Sequence, residues 1–316
     1  MDLHTADIYD LIRPHIRHTP LLYSWYYSSL VWANVYLKCE NLQYTNSFKV
    51  RWAFATLLQI PEHQRKYTKI VTTSWGNHGI AVAYAAQKCW IPVTVYVTET
   101  TSQYKKDKIM RYGAHVETFA WPRHIANEEV MRNAEKSWDL YIHPFAQESV
   151  IAGQSTLWYE IMQDLTKTTK IICSIGGGWL ISWVASWFKA IASDVHVYGV
   201  ETLWADSMYQ ALAAWEPVTL TSITSICDSL WATKVAELTL GIVKEKVSSC
   251  STVTDAEALE DVRTILREEK LLIEPASACC LSALRVGSIT NITPTDTIVA
   301  VLCWGNISNE QLKARL

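Results

Sequence analysis

The chain has 316 residues, of which 28 are basic and 31 acidic, so its net charge at pH 7 is −3, and 49% of the residues are apolar. This length exceeds what one hydrophobic core usually serves, which excludes a peptide hormone or a single small module and favours two domains or one large α/β unit. The balanced charge does not indicate nucleic acid as a main partner. Glycine is scarce, at 11 residues, and tryptophan is abundant, at 15.

Short β-branched runs alternate with longer segments of helical period, a pattern typical of βαβ units around parallel sheets. The predicted strands are Asn34–Cys39, Lys69–Thr73, Val93–Thr98, His115–Phe119, Lys170–Ile175, Val195–Glu201 and Thr297–Cys303. The predicted helices are Ser47–Gln59, Asn77–Lys88, Gln103–Tyr112, Arg123–Ser137, Ser149–Leu165, Gly178–Ala192 and Ala256–Glu269. A polar stretch at 216–229 is the longest predicted loop. The sequence therefore predicts an α/β fold.

No apolar stretch reaches the ~18 residues that a membrane-spanning helix needs, and the N-terminal segment lacks the pattern of a signal peptide. We therefore expect a cytoplasmic protein without a membrane partner. The eight cysteines show neither Cys-x-x-Cys pairs nor the spacing of zinc ligands, so we expect mostly buried thiols in a reducing compartment.

A lysine opens one of the predicted helices, in the segment TNSFKVR at 45–51. Lys49 stands between Phe48 and Val50, near the positive end of the helix dipole. Such surroundings are expected to lower the pKa of an amine, as a lysine that forms covalent adducts with carbonyl compounds requires. From this segment alone, a solvated surface lysine is the more common interpretation.

Three further segments lie where a predicted strand ends, which is where open α/β sheets bind ligands. TSWGNHG at 73–79 offers backbone amides with Ser74 and Asn77 as an anion site, although both side chains serve equally well as helix caps. SIGGGWL at 174–180 places three glycines before a helix, which lets the backbone approach a phosphate. VLCWGN at 301–306 ends the last predicted strand.

These segments, together with several others, resemble the ordered landmarks of the pyridoxal-phosphate-dependent threonine/serine dehydratase and serine racemase family. The landmarks occupy residues 38–51, 73–87, 105–114, 143–156, 174–180, 198–202, 237–239, 273–278 and 301–306. The resemblance covers nearly the whole chain. It implies fold type II, as in the tryptophan synthase β subunit, with two open, twisted, mainly parallel sheets flanked by helices. It also implies a large cofactor-binding domain at 1–68 and 147–316, and a small inserted domain at 69–146.

The resemblance assigns roles residue by residue. It implies that Lys49 binds pyridoxal 5'-phosphate covalently and acts as the catalytic base, with Phe48 beside it in the cofactor site. The other cofactor-binding residues that it implies are Asn77, Gly176, Gly177, Gly178, Trp179 and Cys303. The substrate carboxylate is assigned to Ser74, Trp75, Gly76, Asn77 and His78. Glu274 receives a supporting role.

The reaction implied is the dehydration and deamination of L-threonine or L-serine to a 2-oxo acid and ammonia. Alternatives are a dehydratase of 3-hydroxyaspartate, a serine racemase, or an impaired relative that only binds amino acids. Racemases of the family use a serine at position 75 as an acid/base, and because the Trp75 indole cannot transfer that proton, racemisation is disfavoured. The family's cation site corresponds to Glu201, the Ala205 carbonyl and Ser207, so one carboxylate is missing and no metal is assigned. The resemblance also implies a homodimer.

Several positions that usually carry glycine in the family carry other residues here. Tryptophan occupies four of them, at Trp52, Trp75, Trp179 and Trp304, and Asn46 and Ser277 occupy two more. Glycine is used where φ is positive or where the backbone touches a ligand. We therefore expect that either the local backbone has adapted or cofactor binding is impaired.

Overall fold

The computed structural model describes residues 3–119, 123–143, 148–191 and 194–315. The helices are α1 (Leu3–Ile12), α2 (Trp25–Val31), α3 (Lys49–Leu57), α4 (Glu62–Arg65), α5 (Asn77–Cys89), α6 (Gln103–Arg111), α7 (Arg123–Ser137), α8 (Glu148–Asp164), α9 (Trp179–Ile191), α10 (Ser207–Ala214), α11 (Glu237–Lys246), α12 (Asp255–Glu269), α13 (Pro275–Arg285) and α14 (Asn309–Arg315). The strands are β1 (Leu21–Tyr23), β2 (Asn34–Lys38), β3 (Ile70–Ser74), β4 (Val93–Thr98), β5 (His115–Phe119), β6 (Leu140–Tyr141), β7 (Lys170–Ser174), β8 (His196–Thr202), β9 (Ser249–Val253) and β10 (Thr297–Val301).

Backbone contacts divide the chain into two compact units. The first unit comprises Met1–Arg17 and Gln43–Leu157, and the second comprises His18–Leu42 and Trp158–Leu316. The domain boundaries at 68/69 and 146/147 that the resemblance implies stay a prediction, and the second of them lies outside the described residues. No helix within the described ranges is long and apolar enough to cross a membrane.

The first unit contains a four-stranded sheet in the order β5-β4-β3-β6, with all neighbouring strands parallel. β3 is buried at every residue, as expected for a central strand covered on both faces. Its register with β4 pairs Ile70 with Val93 and Ser74 with Val97. The chain turns directly from the end of β3 into α5, so the N-terminus of α5 lies at the carboxyl edge of the sheet.

The second unit contains a six-stranded sheet in the order β1-β2-β10-β7-β8-β9. β1 is antiparallel to β2, and the other pairs are parallel. β7 is buried throughout, and it leads through three glycines into α9. α13 is buried from Pro275 to Leu284, because its small side chains allow close packing on all sides. All eight cysteines are free, and all except Cys250 are buried, as predicted.

All seven predicted strands form, within one or two residues of the predicted limits. The three strands that the sequence does not predict are β1, β6 and β9, and each is at the edge of its sheet. Edge strands are short or only partly buried, so they lack the continuous apolar runs on which the strand predictions depend. The segment predicted as a loop at 216–229 is irregular up to a short 3₁₀ turn at Asp228–Leu230.

Among the residues that the structure describes, five tryptophans adopt the left-handed backbone conformation that favours glycine. They are Trp32, Trp90, Trp138, Trp204 and Trp215, with φ between 54° and 69°, and their exposed fractions lie between 68% and 95%. Trp32, Trp90 and Trp215 end helices α2, α5 and α10, at the position where glycine is the usual cap. The left-handed conformation costs a residue with a Cβ about 1–2 kcal/mol.

Replacing one of these residues by glycine is therefore expected to stabilise the protein. Trp138→Gly removes the steric cost at φ 60° but enlarges the conformational freedom of the unfolded chain, which leaves a net gain of about 1 kcal/mol in the free energy of unfolding. Urea titration measures this change. The matched control is Trp25→Gly, since Trp25 is 79% exposed but right-handed, at the start of α2, and its replacement should give no gain. Equal effects of the two substitutions would contradict the strain argument.

Candidate functional site

Lys49 is the first residue of α3, which begins two residues later than the predicted helix Ser47–Gln59, and it is half-buried. Its Nζ lies 5.7 Å from the centre of the Phe48 ring, which is itself buried. A tight turn precedes it, in which the Asn46 amide donates to the Gln43 carbonyl at 2.8 Å and Asn46 has a φ of 56°. Asparagine tolerates this left-handed conformation better than most residues. Asn46 therefore adopts the backbone conformation expected of the glycine that the family usually has at this position.

The Ser74–His78 loop joins β3 to α5. The Ser74 hydroxyl oxygen accepts hydrogen bonds from the amides of Gly76, at 3.0 Å, and Gly79, at 2.6 Å. Gly76 has a φ of 135°, which side chains rarely permit. Because Ser74 accepts from the third residue of α5, the loop is a capped helix N-terminus. Its remaining first-turn amides, including that of His78, point along the axis of the helix, which is the arrangement that binds anions.

The imidazole of His78 is fixed inside the first unit. Its Nε2 lies 2.6 Å from the Thr72 hydroxyl, which donates its own proton to the Ile142 carbonyl at 2.7 Å, so Nε2 carries the hydrogen and donates to Thr72. The ring stacks on Trp52, with ring centres 4.7 Å apart. Burial, followed by the nearby charge of Lys49, holds the pKa of His78 well below its usual range. The part of His78 that is suited to an anionic substrate is therefore its backbone amide.

Two lysines that the sequence analysis does not assign to the site lie beside these loops. Lys105 and Lys108 are on one face of α6 and are only 2% and 7% exposed. Lys108 donates to the Asn46 side-chain oxygen at 2.7 Å, in the turn that precedes Lys49. Lys105 packs against Gly76. The sequence signal that places the two side chains together is their i,i+3 spacing in the landmark at 105–114, KKDKIMRYGA.

In the second unit, Gly176–Gly178 form the connection from β7 to α9. Throughout the described chain, no protein group accepts a hydrogen bond from the amides of these three glycines. A Cβ at Gly178, where φ is 81°, would overlap the Met208 methyl group, and a Cβ at Gly176 would lie 3.3 Å from Leu230 Cα. Trp179 begins α9, and its indole Cδ1 lies 3.4 Å from where a Cβ of Gly177 would be.

Cys303 follows β10 and is fully buried. The adjacent backbone is held by Ser277, whose hydroxyl accepts from the Trp304 amide at 2.6 Å and lies 2.8 Å from the Trp304 carbonyl. Glu274 accepts from the Asn306 amide at 2.8 Å and from the Ser229 hydroxyl at 2.5 Å. Glu274 thus connects two loops of the second unit, and its role toward the cofactor stays a prediction.

Glu201 acts as a cap for α10. Its two carboxylate oxygens accept from the amides of Met208, at 3.1 Å, and Tyr209, at 2.7 Å. Burial raises the pKa of Glu201 well above its usual range. The Ala205 amide donates to the Thr202 carbonyl at 3.0 Å. No cluster of three or more His, Cys, Asp or Glu side chains suited to a metal ion occurs in the ranges that the structure describes.

The chain has two mainly parallel sheets, a lysine at the start of a helix, and glycine-containing turns after strands. This combination is typical of α/β enzymes of fold type II. The sequence model of the family described as "Pyridoxal-phosphate dependent enzyme" matches residues 12–303. The chain therefore belongs to this family.

Individual relatives agree with this assignment. The chain is 34% identical over 310 residues to a serine dehydratase-like protein of Rattus norvegicus, covering 95% of this chain and 94% of the relative. It is 31% identical over 298 residues to an L-threonine ammonia-lyase of Geobacter sulfurreducens, covering 94% and 73%. The structure of maize serine racemase matches with a TM-score of 0.91 and 27% identity, over 98% of this chain and 95% of that chain. The predicted family, fold class, cofactor and ammonia-lyase class are confirmed, and the roles of single residues stay predictions.

The residues present fit a phosphate-bearing aldehyde cofactor. Lys49 supplies a half-buried primary amine, and the three glycine amides of the second unit are the donors that a phosphate needs. Two buried hydroxyl groups in these segments, on Ser47 and Ser174, have no hydrogen-bond partner in the described parts of the protein. Buried polar groups without partners are unusual, and a bound ligand is one way in which each of them is satisfied.

Stability should depend on pH through His78. Because its pKa is lowered in the folded state, the unfolded chain binds more protons below about pH 6.5, so the stability contributed by neutral His78 is complete above that pH and is lost as the pH falls. The loss is at most about 1.4 kcal/mol per pH unit. His78→Phe keeps a ring against Trp52 and should flatten the slope of unfolding free energy between pH 6.5 and 5. His63→Phe, at an exposed position on α4, should leave the slope unchanged; identical slopes in both variants would contradict this assignment.

The indole of Trp179 is expected to weaken cofactor binding, because it covers one side of Gly177. Trp179→Gly should therefore lower the dissociation constant of pyridoxal phosphate, by about tenfold if the relieved interference amounts to about 1.4 kcal/mol. The binding is followed by visible absorbance during titration. Trp183→Gly, one turn further along α9, is the control and should leave the constant unchanged. Weaker binding in Trp179→Gly would show that the indole supports the loop.

Proposed function

We propose that this chain is an ammonia-lyase that converts L-threonine or L-serine into a 2-oxo acid and ammonia, with pyridoxal phosphate as its cofactor. The observation that carries the proposal is the placement, within the first unit, of the Lys49 amine near an amide-lined loop. The stack of Trp52 on His78 joins α3 to α5, and the charge of Lys49 reaches His78 strongly enough to lower its pKa. An amino-acid substrate requires both groups, an amine that takes up and releases a proton and a site that binds the carboxylate.

When bound, pyridoxal phosphate supplies an electron sink that acidifies the Cα hydrogen of the amino acid attached to it. In this proposal Lys49 holds the cofactor, with Phe48 and Asn77 beside it. The amides of Gly176–Trp179 bind its phosphate, and Cys303 lies at its ring nitrogen. A neutral thiol at that position leaves the nitrogen largely unprotonated, which favours elimination over reactions that need a long-lived carbanion.

The protein groups then perform two tasks. The Ser74 hydroxyl and the backbone amides of the Ser74–His78 loop bind and orient the substrate carboxylate. The Lys49 amine takes the proton from Cα, and the β-hydroxyl group leaves as water once it is protonated. The resulting enamine is hydrolysed to the 2-oxo acid and ammonia, so that the net change is the loss of ammonia from the hydroxy amino acid.

Elimination is favoured over racemisation by the residue at position 75. Racemisation requires a second acid/base group opposite Lys49, and the half-buried Trp75 offers only an indole N–H, which does not titrate near neutral pH and so cannot act as a general acid or base. The names of the two sequence relatives support the same choice. A homodimeric enzyme in the cytoplasm completes the proposal, on the basis of the family resemblance.

The experiment measures ammonia release from L-threonine and L-serine by protein reconstituted with pyridoxal phosphate. Lys49→Ala should lower kcat by at least about 10²–10⁴-fold, because the general base is lost, and should abolish the visible absorbance of the bound cofactor. Lys69→Ala, at an exposed lysine before β3, is the matched control and should retain both. Chiral analysis of recovered serine should show no D-serine. A wild-type protein that takes up cofactor and binds amino acid but releases no ammonia would contradict the proposal.

A further inference from the structure

The glycine turn of the second unit, Gly176–Gly178, is held at both ends by the neighbouring strand β8. Ile175, the residue before the turn, donates its amide hydrogen to the Val200 carbonyl of β8 at 2.7 Å. The next residue of β8, Glu201, is buried and reaches the other end of the turn through α10. Two successive residues of one strand therefore determine where the turn begins and where it ends.

The start of α10 is attached to β8 by a carboxylate from outside the helix. The two oxygens of Glu201 accept from the amides of Met208, at 3.1 Å, and Tyr209, at 2.7 Å. The local N-cap residue, Asp206, makes no such bond, and its carboxylate accepts instead from the Gln210 side chain at 3.0 Å. A cap from Asp206 would leave the helix unattached to the sheet, whereas the cap from Glu201 fixes Met208 relative to β8.

The side chain of Met208 fills the space beside the last glycine of the turn. A Cβ at Gly178 would overlap the Met208 methyl carbon and would lie 3.3 Å from Thr239 Cβ. Met208 is fully buried, so its methyl group is enclosed by protein at this contact. Gly178 has a φ of 81°, and a glycine by itself has more conformational freedom than any other residue. Packing against Met208 therefore restricts a backbone that the glycine would leave free.

We propose that Met208, held by Glu201, is a positioning residue for the phosphate group of the cofactor, an inference that rests on the phosphate-binding role proposed for the glycine turn. Met208 donates no hydrogen bond to the ligand. It acts through Gly178, by keeping the turn in one conformation before the phosphate arrives. A turn that is already ordered loses less conformational entropy on binding, so the phosphate binds more tightly.

The test compares two aldehydes that differ only in the phosphate group, pyridoxal phosphate and pyridoxal. Their dissociation constants are measured by visible absorbance on cofactor-free protein, at a temperature where every variant is folded. Met208→Ala should raise the constant of pyridoxal phosphate about tenfold, because binding must then order the Gly178 backbone, and should leave that of pyridoxal within about twofold. Glu201→Gln, which keeps one acceptor oxygen for two amides, should act in the same direction. Met208→Leu, which lacks the terminal methyl group, replaces Met208→Ala if that variant does not fold.

The matched control is Gln210→Ala, which removes a side-chain hydrogen bond on the exposed side of the same helix and leaves Met208 in place. It should change neither constant. Inorganic phosphate should raise the Tm of cofactor-free wild-type protein and of Gln210→Ala by more than that of Met208→Ala. Equal weakening of both aldehydes in Met208→Ala would assign Met208 to general packing and overturn the proposal, as would an unchanged constant for pyridoxal phosphate or an equal effect of Gln210→Ala.

These constants are measured without turnover, so they separate the two proposals. A wild-type protein that binds pyridoxal phosphate more tightly than pyridoxal but releases no ammonia would contradict the proposed function and leave the comparison of the variants decisive for Met208. Equal affinity of the wild-type protein for the two aldehydes would show that the glycine turn does not bind the phosphate, and would overturn the role of Met208.

Discussion

The hydroxyl group of Ser74 determines the geometry on which the first unit depends. By accepting from the amides of Gly76 and Gly79, it closes the turn between β3 and α5 and fixes where the helix begins. With the helix start fixed, His78 reaches Thr72 and stacks on Trp52, which sets α5 against α3 and so places Lys49. One oxygen atom thus connects the carboxyl edge of the sheet to the residue that is proposed to carry the chemistry.

The sequence predicts the central elements well because their signals are local. β3 and β7 are short strands that contain β-branched residues and are buried throughout. Each is followed within a few residues by glycine and the start of a helix, so the positions of the strand, the turn and the helix follow from the residues themselves. The position of Lys49 in the first turn of a helix is predicted for the same reason. The edge strands β1, β6 and β9 depend on pairing with distant segments, and pairing leaves little local pattern.

The predicted site is less complete than the predicted fold, because burial of polar side chains is a tertiary property. α6 is strongly polar in composition, and its sequence alone is typical of a solvated surface helix, yet two of its lysines are almost inaccessible. For His78, by contrast, the sequence predicts a place in the site but not the surroundings of the ring. Its proximity to the site is predictable from the sequence. The fixed tautomer, and the fact that its ring cannot bind a substrate, follow only from its contacts with Thr72, six residues earlier, and through Thr72 with Ile142, 64 residues later.

The left-handed tryptophans lie on both units, far apart along the chain, so their conformational costs are independent and add together. At about 1–2 kcal/mol each, the sum is comparable to the ~5–15 kcal/mol that usually separates a folded domain from its unfolded state. A single substitution would remove the cost at only one of these positions. Glycine at all five positions would remove these costs together. The backbone at these five positions therefore has the conformation that glycine favours, although the residue there is tryptophan.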